Sequence, residues 1–120
     1  MFCLNESQRY WLWTEPTDMR KSFHSLSGIV NDRMGREASS GDVYVFINRS
    51  RNRIKLLHWE SGGMVLYSKM LEAGTFGTPV DLSSDGSMSW RELVMMVEGI
   101  MENPRGRRRR LESLKGLRRG

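Results

Sequence analysis

Hydrophobic positions along the chain change their spacing several times, and each change marks an element. Residues 8–14, Gln-Arg-Tyr-Trp-Leu-Trp-Thr, are rich in aromatics and end before Pro16, which predicts a strand. Alternation puts Tyr10 and Leu12 on one face and Trp11 and Trp13 on the other. Met19, Phe23, Leu26, Val30 and Met34 then recur three or four residues apart, with Ile29 widening the stripe. That spacing predicts a helix over 18–34, with Thr17 or Asp18 as N-cap and Gly35 as the left-handed residue that ends it. After a polar loop at 36–42, Val43-Tyr44-Val45-Phe46-Ile47 shows no alternation, as expected of a strand covered on both faces. Asn48 to Asn52 is a polar turn, Arg53 to Trp59 a strand, Ser61-Gly62-Gly63 a hairpin turn, and Met64 to Leu71 a third strand. Residues 72–88 are rich in Gly, Ser and Thr, with Phe76, Val80 and Leu82 as anchors. Ser89 and Glu92 form a capping-box pair. Trp90, Leu93, Val94, Val97, Ile100 and Met101 make a second helical stripe that Asn103-Pro104 stops.

The order β-α-β-β-β-α predicts an α+β fold: an antiparallel β-meander with two amphipathic helices packed on one of its faces. Apolar residues make up 38% of the chain, below the usual ~45–50%, so part of it is expected to lie outside the core. Charge locates that part. Residues 105–120 hold Arg105, Arg107, Arg108, Arg109, Arg110, Lys115, Arg118 and Arg119 against Glu112 alone, a net +7. The total is +5, so residues 1–104 are close to neutral and slightly acidic. A compact domain over 1–104 and a disordered, Arg-rich tail over 105–120 follow; Gly106, Gly116 and Gly120 argue against a stable helix in the tail.

A run as dense as Arg107 to Arg110 suits a polyanion. The turn around residue 50 adds Arg49, Arg51, Arg53 and Lys55 with no acid among them. Arg53 and Lys55 would share one face of the outgoing strand. Such a hairpin can lie along a phosphate backbone, although basic hairpins also serve merely to discourage edge-to-edge association. Arg20 and Lys21, in the first turn of the expected helix, oppose its dipole and suggest a phosphate or partner contact; a salt bridge to Glu15 or Asp18 is the plainer reading. Of Trp11, Trp13, Trp59 and Trp90, three are expected in the core, with Trp13 or Trp59 left open. His58 reads as a satisfied structural histidine.

Enzyme chemistry finds no foothold. Two histidines and scattered turn acids assemble no catalytic set, and no GxxxxGK[ST] or GxGxxG is present. A single cysteine excludes an internal disulfide and a paired-cysteine zinc site. No metal and no cofactor are implied. No apolar run reaches the ~20 residues needed to cross a bilayer, and MFCLNESQRY lacks the basic flank and apolar stretch of a secretory signal. The expectation is a cytoplasmic protein.

Three stretches, PTDMRKSF (16–23), GDVYVFINRSRNRIKLLHWESGGMVLYSKMLEAGTF (41–76) and SWRELVMMVEGI (89–100), resemble the TnpB-type, Orf2-like accessory protein of bacterial insertion sequences of the IS-sixty-six family. The likeness spans nearly all of residues 2–102. It implies a protein encoded beside a separate, larger transposase and needed for efficient transposition, with no catalytic residues to carry over. Ser22 stands where the family commonly has glycine, and residues 77–88 fit its pattern poorly. Charge and resemblance together predict a non-enzymatic transposition accessory protein that contacts DNA phosphates, nucleoid-associated when bound. The alternative is a protein–protein interaction module that docks on the element's transposase, with methionines such as Met95, Met96 and Met101 supplying an adaptable surface.

Overall fold

The computed structural model describes residues 4–79 and 82–98. The expected domain boundary at 104, the tail from Arg105 to Arg119, and the anchors Val80, Ile100 and Met101 lie outside the described residues. Within them the chain forms β1 (Tyr10–Leu12), α1 (Phe23–Gly28), β2 (Val43–Ile47), β3 (Arg53–Glu60), β4 (Gly63–Met70), β5 (Ser87–Met88) and α2 (Trp90–Glu98). The strands build one sheet in the order β4-β3-β2-β1-β5. Three of its four pairings are antiparallel, but β1 runs parallel to β2, with Tyr10 against Val43 and Leu12 against Val45. The α+β class holds, and the meander β2-β3-β4 is its backbone. The parallel pair and the short β5 were not expected.

The parallel pair also fixes where the helices go. Parallel neighbours need a crossover, and α1 supplies it, covering one face of the sheet. On that face Leu26 and Val30 pack with Trp11, Tyr44, Phe46 and Leu57. On the opposite face Leu93, Met96 and Val97 of α2 pack with Tyr10, Leu12, Val43, Val45, Ile54 and Leu56. The helices therefore sit on opposite faces, which corrects the expectation of one shared face. The physical reason is the run Val43–Ile47, every residue of which is buried. A strand apolar on both sides cannot leave one side to water.

The first helix is shorter than its apolar spacing predicts. It begins after Ser22 and continues as a π-helical turn over Ile29–Arg33. Residues 18–21 instead form a turn in which the Asp18 carboxylate accepts the Arg20 amide at 2.9 Å, and Lys21 N–H donates to the Asp18 carbonyl at 3.1 Å. An aspartate that bonds its own local backbone competes with helix formation. Phe23, assigned to the apolar face, is 41% exposed. The helix terminates as expected at Gly35, φ 66°, where Arg36 N–H reaches back to the Val30 carbonyl. At the other helix Ser89 Oγ accepts the Glu92 amide at 3.1 Å, the expected cap.

Gly86 ties β1 to β5. Its carbonyl accepts the Leu12 amide at 2.8 Å, its φ is +89°, and a Cβ there would come within 2.9 Å of the Leu12 carbonyl oxygen. Both the left-handed conformation and a backbone atom oppose any side chain. Gly86→Ala is expected to lower the melting temperature by about 5–10 °C in a thermal melt, the equivalent of ~1–2 kcal/mol in a domain this size.

Tyr10 yields a pH prediction. It is 1% exposed, and its hydroxyl donates to the Asn5 carbonyl at 2.6 Å. Burial pushes the phenol up from 10.0 to about 12. A pKa raised by folding gives stability that is complete below the unfolded value and is lost as pH rises through the folded one. The urea midpoint is therefore expected to fall between pH 10 and about 12. Tyr10→Phe should flatten that fall, and a midpoint equally pH-sensitive in the variant would refute the assignment.

Candidate nucleic-acid interface

The basic turn between β2 and β3 is rigid because Asn48 organises it. Its side-chain oxygen accepts the amides of Asn52 and Arg53 at 3.1 and 3.0 Å, and its side-chain amide donates to Asn52 Oδ1 at 2.8 Å. Asn48 N–H donates to the Arg53 carbonyl at 3.2 Å and its carbonyl accepts the Arg51 amide at 3.1 Å. Arg51 completes the turn with φ 58°, a left-handed conformation rare for a residue with a side chain.

The four cations of this turn divide into two pairs. Arg51 folds inward: Nε donates to the Phe76 carbonyl at 3.0 Å and Nη2 to the Gly77 carbonyl at 2.7 Å, while its own carbonyl accepts the Phe76 amide at 2.7 Å. Burial lowers its pKa below the usual arginine value. Lys55 shares a face with Phe46, its partner on β2, and its ammonium donates to the carbonyls of Met19 and Lys21 at 2.8 and 2.7 Å. It thus holds the chain entering α1 against the sheet. Arg49 and Arg53 remain exposed.

Beside this turn, at the carboxyl ends of the parallel strands β1 and β2, lies a cleft of about 180 Å³. Trp13, Thr14, Glu15, Asn48, Arg49 and Arg51 contribute to its wall. The guanidinium of Arg33 lies over the Trp13 ring at 5.0 Å and pairs with Glu15 at 2.7 Å.

Arg20 pairs with Asp18 at 2.6 Å, and both are solvent-facing. Its guanidinium holds the Asp18 carboxyl well below the usual carboxylate range. Neither Arg20 nor Lys21 lies within a helix, so the dipole argument does not apply to them. Lys21 is exposed. Trp11 is buried, with Nε1 donating to Asp42 at 2.9 Å and the Arg36 guanidinium over its ring at 3.1 Å. Trp90 packs against Tyr10 at 5.7 Å, and Trp13 and Trp59 are partly exposed. Met95 is partly buried against the core and Met96 fully so. His58 is buried, Nε2 lies 3.5 Å from Glu60, and Nδ1 has no partner among the described residues, which corrects the expectation that it is satisfied. Among the described residues no group of three or more His, Cys, Asp or Glu is placed to hold a metal, and no helix is long and apolar enough to cross a membrane.

Sequence reasoning missed the inward role of Arg51 and Lys55. The one signal available was positional: Lys55 alternates with Ile54 and Leu56 on a strand buried on both sides, so a cation there must find an acceptor.

Comparison with known proteins decides the family. A family model described as IS66 Orf2 like protein matches residues 8–106. The chain belongs to that family. Two proteins of Sinorhizobium fredii are similar along most of their length. The uncharacterized protein y4jC is 29% identical over 92 residues, 77% of this chain and 79% of the relative. The uncharacterized protein y4hO is 30% identical over 95 residues, 79% and 83% respectively. No solved structure matches. Membership places the chain among the accessory proteins of insertion-sequence transposition. The matched span contains the Asn48 turn, the cleft residues and α2.

Proposed function

We propose that this family member contacts DNA phosphates during transposition, alongside the transposase of its element, and does so without catalysing a reaction. The observation that carries the proposal is the segregation of charge: residues 105–120 hold eight basic side chains and one acid, while the rest of the chain is close to neutral. Arg49 and Arg53, exposed on a turn whose backbone is locked by Asn48, supply a second and more rigid contact. Arginine dominates both places, and its planar fork binds phosphate bidentately. Arg51 and Lys55 support this surface from within and make no phosphate contact of their own. Binding of this kind is largely independent of sequence, because phosphate contacts position a protein without reading bases. The test is fluorescence anisotropy with labelled duplex DNA across a salt series. A full chain that fails to bind even at low salt would sink the proposal.

A further inference from the structure

The two edges of the sheet differ. One is β5, only two residues long. The other is β4, eight residues from Gly63 to Met70 that, among the described residues, pair with β3 alone. Long edges are normally blunted by charge, proline or a bulge. This one has no proline and a single charged residue, Lys69, whose ammonium is drawn aside to the Val97 carbonyl at 3.0 Å. Among the described residues three large hydrophobic side chains are exposed, and two belong to β4: Val65 at 44% and Met70 at 64%.

The register shows which backbone groups the edge leaves open. Glu60 and Gly63 close a hairpin whose two loop residues, Ser61 and Gly62, both have positive φ, and Leu71 N–H donates to the Asn52 carbonyl at 2.8 Å. Hydrogen-bonded pairs alternate along an antiparallel ladder. Residues 63, 65, 67 and 69 therefore bond to β3. The N–H and C=O groups of Met64, Leu66, Ser68 and Met70 point away from it.

We propose that two copies of this chain associate through β4, antiparallel across a two-fold axis, joining two sheets into one. The self-complementary register pairs Met64 with Met70 and Leu66 with Ser68 of the second copy, and makes about eight new backbone hydrogen bonds. It sets exposed Met70 against Met64 on one face. On the other it sets exposed Val65 against the stem of Lys69, and Tyr67 against its own symmetry mate. Each exposed hydrophobic side chain of the edge thus gains a cross-strand partner. No charged group lies at the axis, and the near-neutral balance of residues 1–104 adds no net repulsion between the two bodies. A two-fold contact of one surface with itself closes at the dimer and goes no further.

Sedimentation velocity on the full chain, from nanomolar to high micromolar concentration, tests the proposal. The expected result is a concentration-dependent shift from one chain mass to two. Ser68→Pro removes an outward N–H without touching the ladder to β3, and should return the monomer. Val65→Lys, at an exposed position, sets a cation beside Lys69 of the second copy and should weaken the dimer about tenfold while leaving the circular dichroism spectrum unchanged. In a Cys3→Ser background, Tyr67→Cys places two thiols at a non-hydrogen-bonded pair about 4.5 Å apart between Cα atoms, within disulfide reach. It should crosslink under mild oxidation. A wild-type chain that stays monomeric throughout overturns the proposal, and leaves the edge to a strand of another protein. A dimer unaffected by both Ser68→Pro and Val65→Lys overturns it as well, as does a Tyr67→Cys chain that never crosslinks.

Discussion

Deleting residues 105–120 is expected to cut the salt dependence of DNA binding by more than half. If the full chain neutralises about five phosphates, log K falls against log salt with a slope near −4.5. Raising salt from about 50 to about 200 mM then weakens binding roughly five-hundred-fold. With the tail removed, Arg49 and Arg53 remain as the exposed cations of the locked turn, and two contacts give a slope near −1.8, a loss of roughly twelve-fold over the same range. Adding Arg49→Ala and Arg53→Ala to the truncated chain should take the slope to near zero. The two contacts also differ in number of cations: residues 105–120 hold eight basic side chains, whereas the turn offers two exposed arginines on a backbone held by five hydrogen bonds made by Asn48. The tail should therefore contribute more to the salt dependence. A full-length slope unchanged by truncation would remove the tail from the interface. A slope unchanged by the double alanine variant would remove the turn.

Sequence pattern and structure agree most often where the cause is local. The unbroken run Val43–Ile47 announces a strand covered on both faces, and all five of its residues are buried. The alternation of Tyr10 and Leu12 with Trp11 sorts these side chains correctly into the two core clusters. Ser89 caps its helix, Gly35 ends the other, and Ser61-Gly62 turns a hairpin, each because one residue type suits one backbone shape. Most of the misses have a different cause. That β1 inserts beside β2, in parallel, depends on which strand edge is free after the meander forms, and no periodicity in a three-residue strand encodes it. Two residues at Ser87–Met88 are too few to show a period at all. The first helix loses its opening turn to a local and a distant cause together: Asp18 bonds the neighbouring backbone, while Met19 is buried and Lys55, thirty-four residues away, claims the Lys21 carbonyl. The candidate interface was legible in its location and illegible in its membership. Composition draws attention to Arg49, Arg51, Arg53 and Lys55 alike. Whether a guanidinium faces water or a carbonyl depends on where residues 76 and 77 return, and nothing near position 51 states that.

This division of the four cations predicts opposite phenotypes for neighbouring arginines. Arg51→Ala is expected to destabilise the fold by about 2–4 kcal/mol in urea unfolding, because it leaves the Phe76 and Gly77 carbonyls without their charged donor in a partly buried site. Arg49→Ala and Arg53→Ala, at exposed positions, should each stay within about 0.5 kcal/mol. Arg51→Gly should recover part of the loss. It lacks the same side chain but relieves the left-handed φ of 58°, worth ~1 kcal/mol. The latch acts through Phe76, which is 1% exposed and sits in the core beneath α2. Arg51 grips that residue from both ends, accepting its amide and donating to its carbonyl. Arg51→Ala and Phe76→Ala should therefore be non-additive: once Phe76 no longer anchors the segment, losing Arg51 matters less. A double-mutant cycle with a coupling of about 1 kcal/mol or more would confirm the latch. If the two effects simply add, or if Arg51→Ala leaves the urea midpoint in place while lowering the salt slope of DNA binding, Arg51 belongs with Arg49 and Arg53 on the outer surface after all.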